Sequence, residues 1–485
     1  MSDRAEYIEL KGSRKQKGHV DDSTAETNVL VRDWSVEEEK MIKRKVDLRM
    51  YPMLAIVFGL SLLDRTNISF AFISGMGKDL KMNVGDRYNI ALLVFFAPYF
   101  VFELPSNYII RRIGARWWLS FLIVAWGTSV LSMGFVQKWE TLAGLRALLG
   151  LFEAGLLPGA IFIIGCWYRP YELAKRVVGF FMLAGVFMAF GPIIAYGFTQ
   201  IKVGNGMYAR GWRWLFICEG IMTIVAGFVA PFFLIEFPER ARFLTDRQRH
   251  IAVSRVRMDQ QGTNIVHPTW KETFIMLMDW KIMLYCVQYF ICASSVYSLA
   301  FFNPIILREG MGFSVAKAQL LVAPPYIFTI LAGVLAAWIS DKIKLRWPIM
   351  IFQAAIAIVG LAIMRYAGPP GWRYFGMFLA TYGTQSNIPF TLSYVQNQTG
   401  RYEKKGISAA AVVSAGAIGG ICGSTIFQHK DAPQYTSGIW ATIGMLFVYI
   451  FVTSFLSWFF TGQNWRADQG IVEKLEKVKG FRYAP

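Results

Sequence analysis

Along the chain, long apolar runs alternate with short polar breaks. Twelve such runs occur, at about 49–72, 90–110, 117–136, 141–167, 175–199, 212–235, 280–303, 316–340, 347–366, 372–395, 407–428 and 438–461. Each is long enough to cross about 30 Å of hydrocarbon as a helix of about 20 residues. Pro and Gly within the runs are compatible with helix, because packed neighbours tolerate them in a bilayer. The longest interior polar stretch, 236–279, divides the runs six and six. The pattern predicts an all-α integral membrane protein of twelve transmembrane helices in two six-helix halves, 49–235 and 280–461. A disordered tail, 1–48, with a short amphipathic stretch before the first span, a central loop, 236–279, and a second tail, 462–485, complete the expected layout.

Composition agrees with a bilayer as solvent. Hydrophobic residues make up 55% of the 485 and charged residues only 17%, too few charges to cover a soluble multidomain surface. Five cysteines exclude a disulfide-stapled scaffold. The net charge of +18 does not point to nucleic acid, because the basic residues sit in tails and loops and not on one folded face. Lys and Arg gather in both tails and in 236–279, which places these on the cytoplasmic side. No apolar run follows a basic start within the first 47 residues, so no cleavable signal peptide is expected. Without a phosphate-binding loop, a nucleophile–base set or a metal-ligand cluster, neither ATP-driven transport nor an enzyme is expected, and no cofactor is implied.

Away from the outermost two positions at each end, six charged residues fall within the runs: Asp64, Arg65, Glu103, Arg146, Glu153 and Glu219. A charge in a span persists when it is paired or faces water. Asp64 and Arg65 are neighbours, and Asn67 shares a face with Asp64. Arg146 and Glu153 are seven residues apart, about two turns, and so share a face. Structural ion pairing and a functional site both remain open for these residues. For Glu103 and Glu219 the sequence favours bonds to neighbouring helix ends or loops. The four histidines lie in tails or loops, which argues against a histidine proton relay.

Beyond their second positions, the seventh and tenth runs carry no charge but do carry Ser294, Ser295 and Tyr297, then Tyr382, Gln385, Ser386, Asn387 and Tyr394. Singly, each reads as a packing cross-link. As a group they suggest a cavity that reads a small polar molecule, with Asn67, Tyr297, Gln385, Asn387 and Tyr394 as substrate-binding candidates. The eleventh run, "GISAAAVVSAGAIGGICGS", is dense in small residues that let helices approach closely. "NYIIRRIGAR" (107–116) and "AWISDKIKLR" (337–346) follow the second and eighth runs, an echo that suggests a duplicated six-helix unit.

In order along the chain, "LLDRTNIS" (62–69), "ELPSNYIIRRIGARWWL" (103–119), "RALLGLFEAGLLPG" (146–159), "CWYRPYELAKR" (166–176), "GWRWLFICEG" (211–220), "FPERARFLT" (237–245), "QSNIP" (385–389), "NQTGRYEKKG" (397–406) and "QHKDAPQY" (428–435) resemble the major facilitator superfamily. Within it, they resemble the anion:cation symporter family and its fungal allantoate-permease branch, which includes nicotinate and pantothenate transporters. The chain departs from the superfamily's loop signature at Arg111, where an acidic residue is usual, whereas Asp341 fills the matching place in the second half. The resemblance implies that Asp64 and Glu153 are proton sites, with Arg65 and Arg146 near the substrate's anionic group.

The resulting expectation is a proton-coupled symporter that imports a small organic anion, such as a vitamin or nitrogen-source monocarboxylate, by alternating access. The proton gradient is the energy source, and no cofactor or metal takes part. The partners are the anion, protons and the lipid bilayer, with no nucleic acid, and the chain is a monomer in the plasma membrane with both termini cytoplasmic. The rival readings are a proton-independent exchanger or facilitator using the same cavity, and a nutrient sensor on the same fold.

Overall fold

The computed structural model describes residues 34–483, except 169, 204–205, 262–269, 344, 401, 429–430, 472–473, 477 and 480. The first half of the chain forms α1 (Val36–Ala71), α2 (Gly77–Asp79), α3 (Arg87–Ile113), α4 (Ala115–Met133), α5 (Trp139–Glu153), α6 (Leu156–Trp167), α7 (Pro170–Thr199) and α8 (Gly211–Phe233). A linking region carries α9 (Asp246–Gln261) and α10 (Trp270–Leu277). The second half forms α11 (Trp280–Ile305), α12 (Val315–Leu320), α13 (Ala323–Ile343), α14 (Trp347–Tyr366), α15 (Pro370–Gln398), α16 (Tyr402–Ile426) and α17 (Thr436–Asp468). A small antiparallel hairpin, β1 (Lys474–Leu475) with β2 (Val478–Lys479), follows.

Each apolar run coincides with helix over most of its length. Among the described residues, eight helical segments are long and apolar enough to cross a membrane, or nine if the bent pair Arg87–Glu103 and Pro105–Ile113 forms one span. On that measure α4, α7 and α15 fall short of the expected twelve crossings. For α15 the reason is chemical: it turns Thr381, Thr384, Ser386, Asn387, Thr391 and Gln398 into the bundle, and an inward polar face lowers mean apolarity.

Order begins before residue 49. Ser35 and Glu38 form a reciprocal cap, with Ser35 Oγ accepting from the Glu38 amide at 3.1 Å and the Glu38 carboxylate accepting from the Ser35 amide at 3.0 Å. Together with three acidic residues in the first turn, the cap starts a helix that runs unbroken into the first apolar run. Residues 34–48 are therefore a structured entry to α1. The remainder of the expected disordered tail, 1–33, lies outside the described residues. Residues 236–279 likewise carry two helices, and α17 with its hairpin extends into the expected second tail.

The bundle is inverted relative to a soluble protein. Phe232 is 78% exposed and Trp458 73%, whereas Arg146 and Glu153 are each 0% exposed. Such a surface suits hydrocarbon, and this is a multi-pass membrane protein.

Helices of each half pack chiefly among themselves, with α4 on α8 and α3 on α5 in the first, and α14 on α15 and α11 on α16 in the second. The halves meet where α3 packs on α16, α7 on α12 and α13, and α1 on α11. Glycines set several close approaches. A Cβ on Gly420 of α16 would lie 2.2 Å from the Phe96 ring of α3, and one on Gly419 would lie 2.6 Å from the Phe290 carbonyl of α11. The small residues of the eleventh run thus let α16 sit against both halves.

At the end of the bundle away from the chain tails, hydrogen bonds join the halves. Asn89 Nδ2 donates to the Ser424 and Phe427 carbonyls at 2.8 and 2.6 Å, and Tyr88 donates to the Phe301 carbonyl at 3.3 Å. Gln319 of α12 bonds Ser74 at 2.8 Å and Thr199 at 3.2 Å. Beneath these bonds, Tyr88 packs on Phe72 and Phe302, and Phe302 stacks on Phe427. Phe96 then packs against Tyr297 and Phe301. The interior is therefore capped at this end by successive aromatic contacts.

At the tail-bearing end, named ionic networks tie each half to itself. Arg255 of α9 bonds the Trp167 carbonyl at 2.8 Å and Glu172 at 3.1 Å, while Lys43 bonds Glu172 at 2.9 Å. The Arg176 guanidinium grips Asp47 at 3.1 and 3.0 Å. In the second half, Lys404 bonds Asp279 at 2.6 Å and Glu476 at 2.7 Å, and Lys281 also bonds Glu476. Burial alone would raise the Asp279 and Glu476 carboxyls, but hydrogen bonds and charge from Lys404 and Lys281 outweigh it and hold both below the usual range. The turn after α3 is held differently. Gly114 adopts φ +100°, and Glu236 accepts the Ala115 and Arg116 amides at 3.0 and 3.3 Å, capping α4.

A Cβ at Gly150 of α5 would lie 2.0 Å from the Phe95 carbonyl of α3, whereas one at Gly144, two turns earlier, would meet nothing within 4 Å. Gly150→Ala should therefore destabilise the bundle by about 1–3 kcal/mol, and Gly144→Ala should leave it unchanged. Thermal unfolding of the two purified variants checks this.

Candidate functional site

The charged residues of the first half meet at mid-bundle, but not in the pairs that sequence spacing suggests. Successive helical residues point about 100° apart, so Asp64 and Arg65 face different neighbours. Arg65 reaches α5, where its Nε lies 2.5 Å from Glu153 Oε1, and Ser61 Oγ, one turn earlier on α1, donates to the same oxygen. Its Nη1 donates to the Tyr297 hydroxyl of α11 at 2.8 Å. The guanidinium carbon stands 5.2 Å from the Phe95 ring centroid and 4.8 Å from that of Tyr99, a cation–π cradle from α3. Arg65 therefore links α1, α3 and α5 to the second half.

Arg146 shares the Phe95 ring, with 5.3 Å to its centroid. It directs its guanidinium at backbone, with Nε 3.5 Å from the Ala91 carbonyl, and Nη1 3.4 Å from that of Asp64 and 3.5 Å from that of Arg65. The partner of Glu153 is thus Arg65, and Arg146 braces the middle of α1. Glu153 Oε2 has no hydrogen-bond partner.

Asp64 turns the other way. Its Oδ2 accepts from the Trp126 indole of α4 at 3.1 Å and from the Thr223 hydroxyl of α8 at 3.2 Å, and its Oδ1 has no partner. Asn67, also buried, has neither amide atom bonded. Glu103 lies one turn beyond Tyr99 on α3, and Glu219 one turn before Thr223 on α8. Both are buried.

The second-half candidates separate. Tyr297 joins the charged group, and Gln385 borders Tyr326 of α13. Asn387 donates to the Gly383 carbonyl at 2.9 Å and accepts from Tyr449 at 3.3 Å, and the Tyr394 hydroxyl lies 3.2 Å from that of Ser457. Asn387 and Tyr394 are seven residues apart, so they share one face, and that face packs on α17. Gln385 lies two residues earlier, on nearly the opposite face. Asn387 and Tyr394 are therefore α15–α17 cross-links here and stand apart from Arg65. Among the named candidates only Tyr297 and Gln385 are partly accessible; the others are buried.

Sequence reasoning missed Ser61, Phe95, Tyr99, Trp126 and Thr223. Ser61 alone left a trace, one turn before Arg65. The others sit in ordinary apolar runs. Among the described residues, no group of three or more His, Cys, Asp or Glu is placed to hold a metal.

A sequence profile described as Major Facilitator Superfamily matches residues 54–424. The chain belongs to the major facilitator superfamily. It is 29% identical over 458 residues to the MFS-type transporter cnsO of Penicillium expansum, covering 92% of this chain and 88% of that protein. It is 28% identical over 418 residues to the high-affinity nicotinic acid transporter of Saccharomyces cerevisiae, covering 86% and 77%. In fold it is similar to a bacterial homologue of the human lysosomal transporter Spinster in an inward-facing, occupied conformation, with TM-score 0.65, 15% identity, and coverage of 84% of this chain and 96% of that one. This facilitator is a transporter and not an enzyme.

The carbonyl contacts of Arg146 need the planar guanidinium fork, which an ammonium lacks. Arg146→Lys should therefore lower the unfolding temperature of the purified facilitator as well as its transport. Thermal unfolding and uptake of the purified variant check this.

Proposed function

We propose that this facilitator is a proton-coupled symporter of a small organic anion. It would lie in the plasma membrane with both tails cytoplasmic, so that the capped end faces outward. The observation that carries this reading is the position of Arg65, held between Glu153 at 2.5 Å and the Tyr297 hydroxyl at 2.8 Å where the halves meet. The nicotinic acid carried by the yeast relative named above is an anion of the required kind.

The chemistry follows from the competition for one guanidinium. With Glu153 ionised, its carboxylate satisfies Arg65. Protonation of Glu153 removes that charge and leaves Arg65 free to take a substrate carboxylate, which replaces the neutral Tyr297 hydroxyl with a charge-assisted bond. Loss of the proton on the tail side returns Glu153 to Arg65 and expels the anion. Tyr297 is partly accessible and borders the route by which the anion arrives. Asp64 is the second proton site in this scheme, Arg146 sets the positive field beneath the anion, and Asn67 and Gln385 flank the route. Asn387 and Tyr394 would reach the substrate only after α15 turns. The Arg65–Tyr297 bond crosses the halves, so exchanging it for substrate couples binding to their relative motion.

Labelled nicotinate uptake into proteoliposomes, with and without an inward proton gradient, tests the scheme. Accumulation that follows the gradient is expected; flux indifferent to pH would favour a proton-independent exchanger. Glu153→Gln should abolish gradient-driven accumulation while counterflow persists. If Glu153 were only a structural partner, breaking the buried pair would cost about 3–5 kcal/mol, and folded protein, binding and counterflow would fall together.

The orientation has its own check. A cysteine introduced at Gln260 of α9 should resist a membrane-impermeant thiol reagent in intact cells, and one at Ala432, beyond α16, should react. The opposite pattern would invert the proposed topology.

A further inference from the structure

The turns that follow α3 and α13 are built alike. α3 ends at Ile113 and α13 at Ile343, so residues 107–116 and 337–346 correspond in register. In the first half the Arg112 guanidinium carbon lies 4.7 Å from the ring centroid of Tyr108, four residues earlier. In the second half Lys342 stands on Trp338 in the same way, at 5.2 Å. Arg116 and Arg346 occupy the same place beyond the turn. The sign of the charge reverses at one position: Asp341 of the second half is matched by Arg111 of the first.

The reversal leaves the first turn without an acid. Arg346 has the Asp341 carboxylate at 4.0 Å. Among the described residues, no ion pair is formed by Arg111, Arg112 or Arg116. The carboxylate that reaches this turn, Glu236, is spent on the main-chain amides of Ala115, Arg116 and Phe237. Each guanidinium rests instead on an aromatic ring. Arg111 lies 4.6 Å from the Phe162 centroid of α6, and Arg116 lies 5.4 Å from that of Trp117. Arg111 and Arg112 are exposed, and the buried Nε of Arg116 has no hydrogen-bond partner. Around them Tyr108, Ile113, Trp117 and Phe121 are exposed on the outside of the bundle. Aromatic side chains so placed mark the headgroup level of a bilayer.

We propose that the turn between α3 and α4 binds the headgroup of an anionic phospholipid in the tail-side leaflet. The lipid phosphate supplies the negative charge that Asp341 supplies in the second half. A guanidinium suits this role, because it takes phosphate oxygens in pairs and sheds water readily. Stacking on Tyr108, Phe162 and Trp117 holds the three forks in place beforehand. The exposed apolar residues beside them favour a lipid over a soluble anion, since they lie against its acyl chains. The site is separate from Arg65, and it depends neither on the substrate nor on a proton.

Native mass spectrometry of the purified full chain, loaded with phosphatidylserine and phosphatidylcholine in equal amounts, tests the site. The wild type should retain phosphatidylserine in preference to phosphatidylcholine. Arg112→Gln should lower that preference about fivefold, the worth of one basic residue near an anionic surface. Arg111→Asp, which gives the first turn the acid of the second, should lower it further. Both side chains are exposed, so folded protein is expected; if Arg111→Asp fails to fold, Arg111→Gln carries the same reading. Equal retention of the two lipids by the wild type would overturn the proposal. So would a preference unchanged in the Arg111 and Arg112 variants, which would place the lipid elsewhere. Release of phosphatidylserine by excess inorganic phosphate would also overturn it, by assigning the arginines to a soluble anion.

Discussion

A guanidinium held in the middle of a lipid-facing bundle has to be satisfied by the protein, because hydrocarbon offers it nothing. Arg65 meets that demand with a carboxylate from α5, a hydroxyl from α11 and two aromatic faces from α3. These contacts fix the relative placement of four helices. The constraint continues in Arg146, whose donors rest on main-chain carbonyls of α1 and α3. An isolated charge here would cost several kcal/mol, so the two arginines hold the elements around them in register.

The second feature of the architecture is its asymmetry from end to end. The end away from the tails is sealed by Asn89, Gln319 and successive aromatic contacts that cross from one half to the other. At the tail-bearing end, Arg255 and Lys404 centre networks that stay within their own halves. Among the described residues, the cross-half hydrogen bonds named above lie at the capped end and at Arg65–Tyr297, and α3 meets α16 across glycine. The Arg65–Tyr297 bond lies between the two ends and joins the halves.

The two carboxyls beside Arg65 have different partners. Glu153 meets Arg65 from α5, whereas Asp64 turns from α1 toward α4 and α8. Their surroundings differ accordingly: Glu153 is bonded to a cation, whereas Asp64 is bonded to neutral donors.

Much of this was determined by the sequence alone. The lengths of the apolar runs require helices, because in lipid every backbone polar group must be bonded within its own segment. The six charges well inside those runs mark the interior, because hydrocarbon offers a charge no partner. The small residues of the eleventh run announce a close helix contact. What the sequence could not determine is which charges meet. Neighbours in sequence, such as Asp64 and Arg65, point about 100° apart on a helix, and residues that share a face, such as Arg146 and Glu153, still need not touch. The partners of Arg65 come from residues 88 and 232 positions away, and Trp126 and Thr223 reach Asp64 from two further helices. Those meetings depend on how tilted helices pack in three dimensions. Local periodicity fixes which face a residue occupies, and only the tertiary fold decides what that face meets.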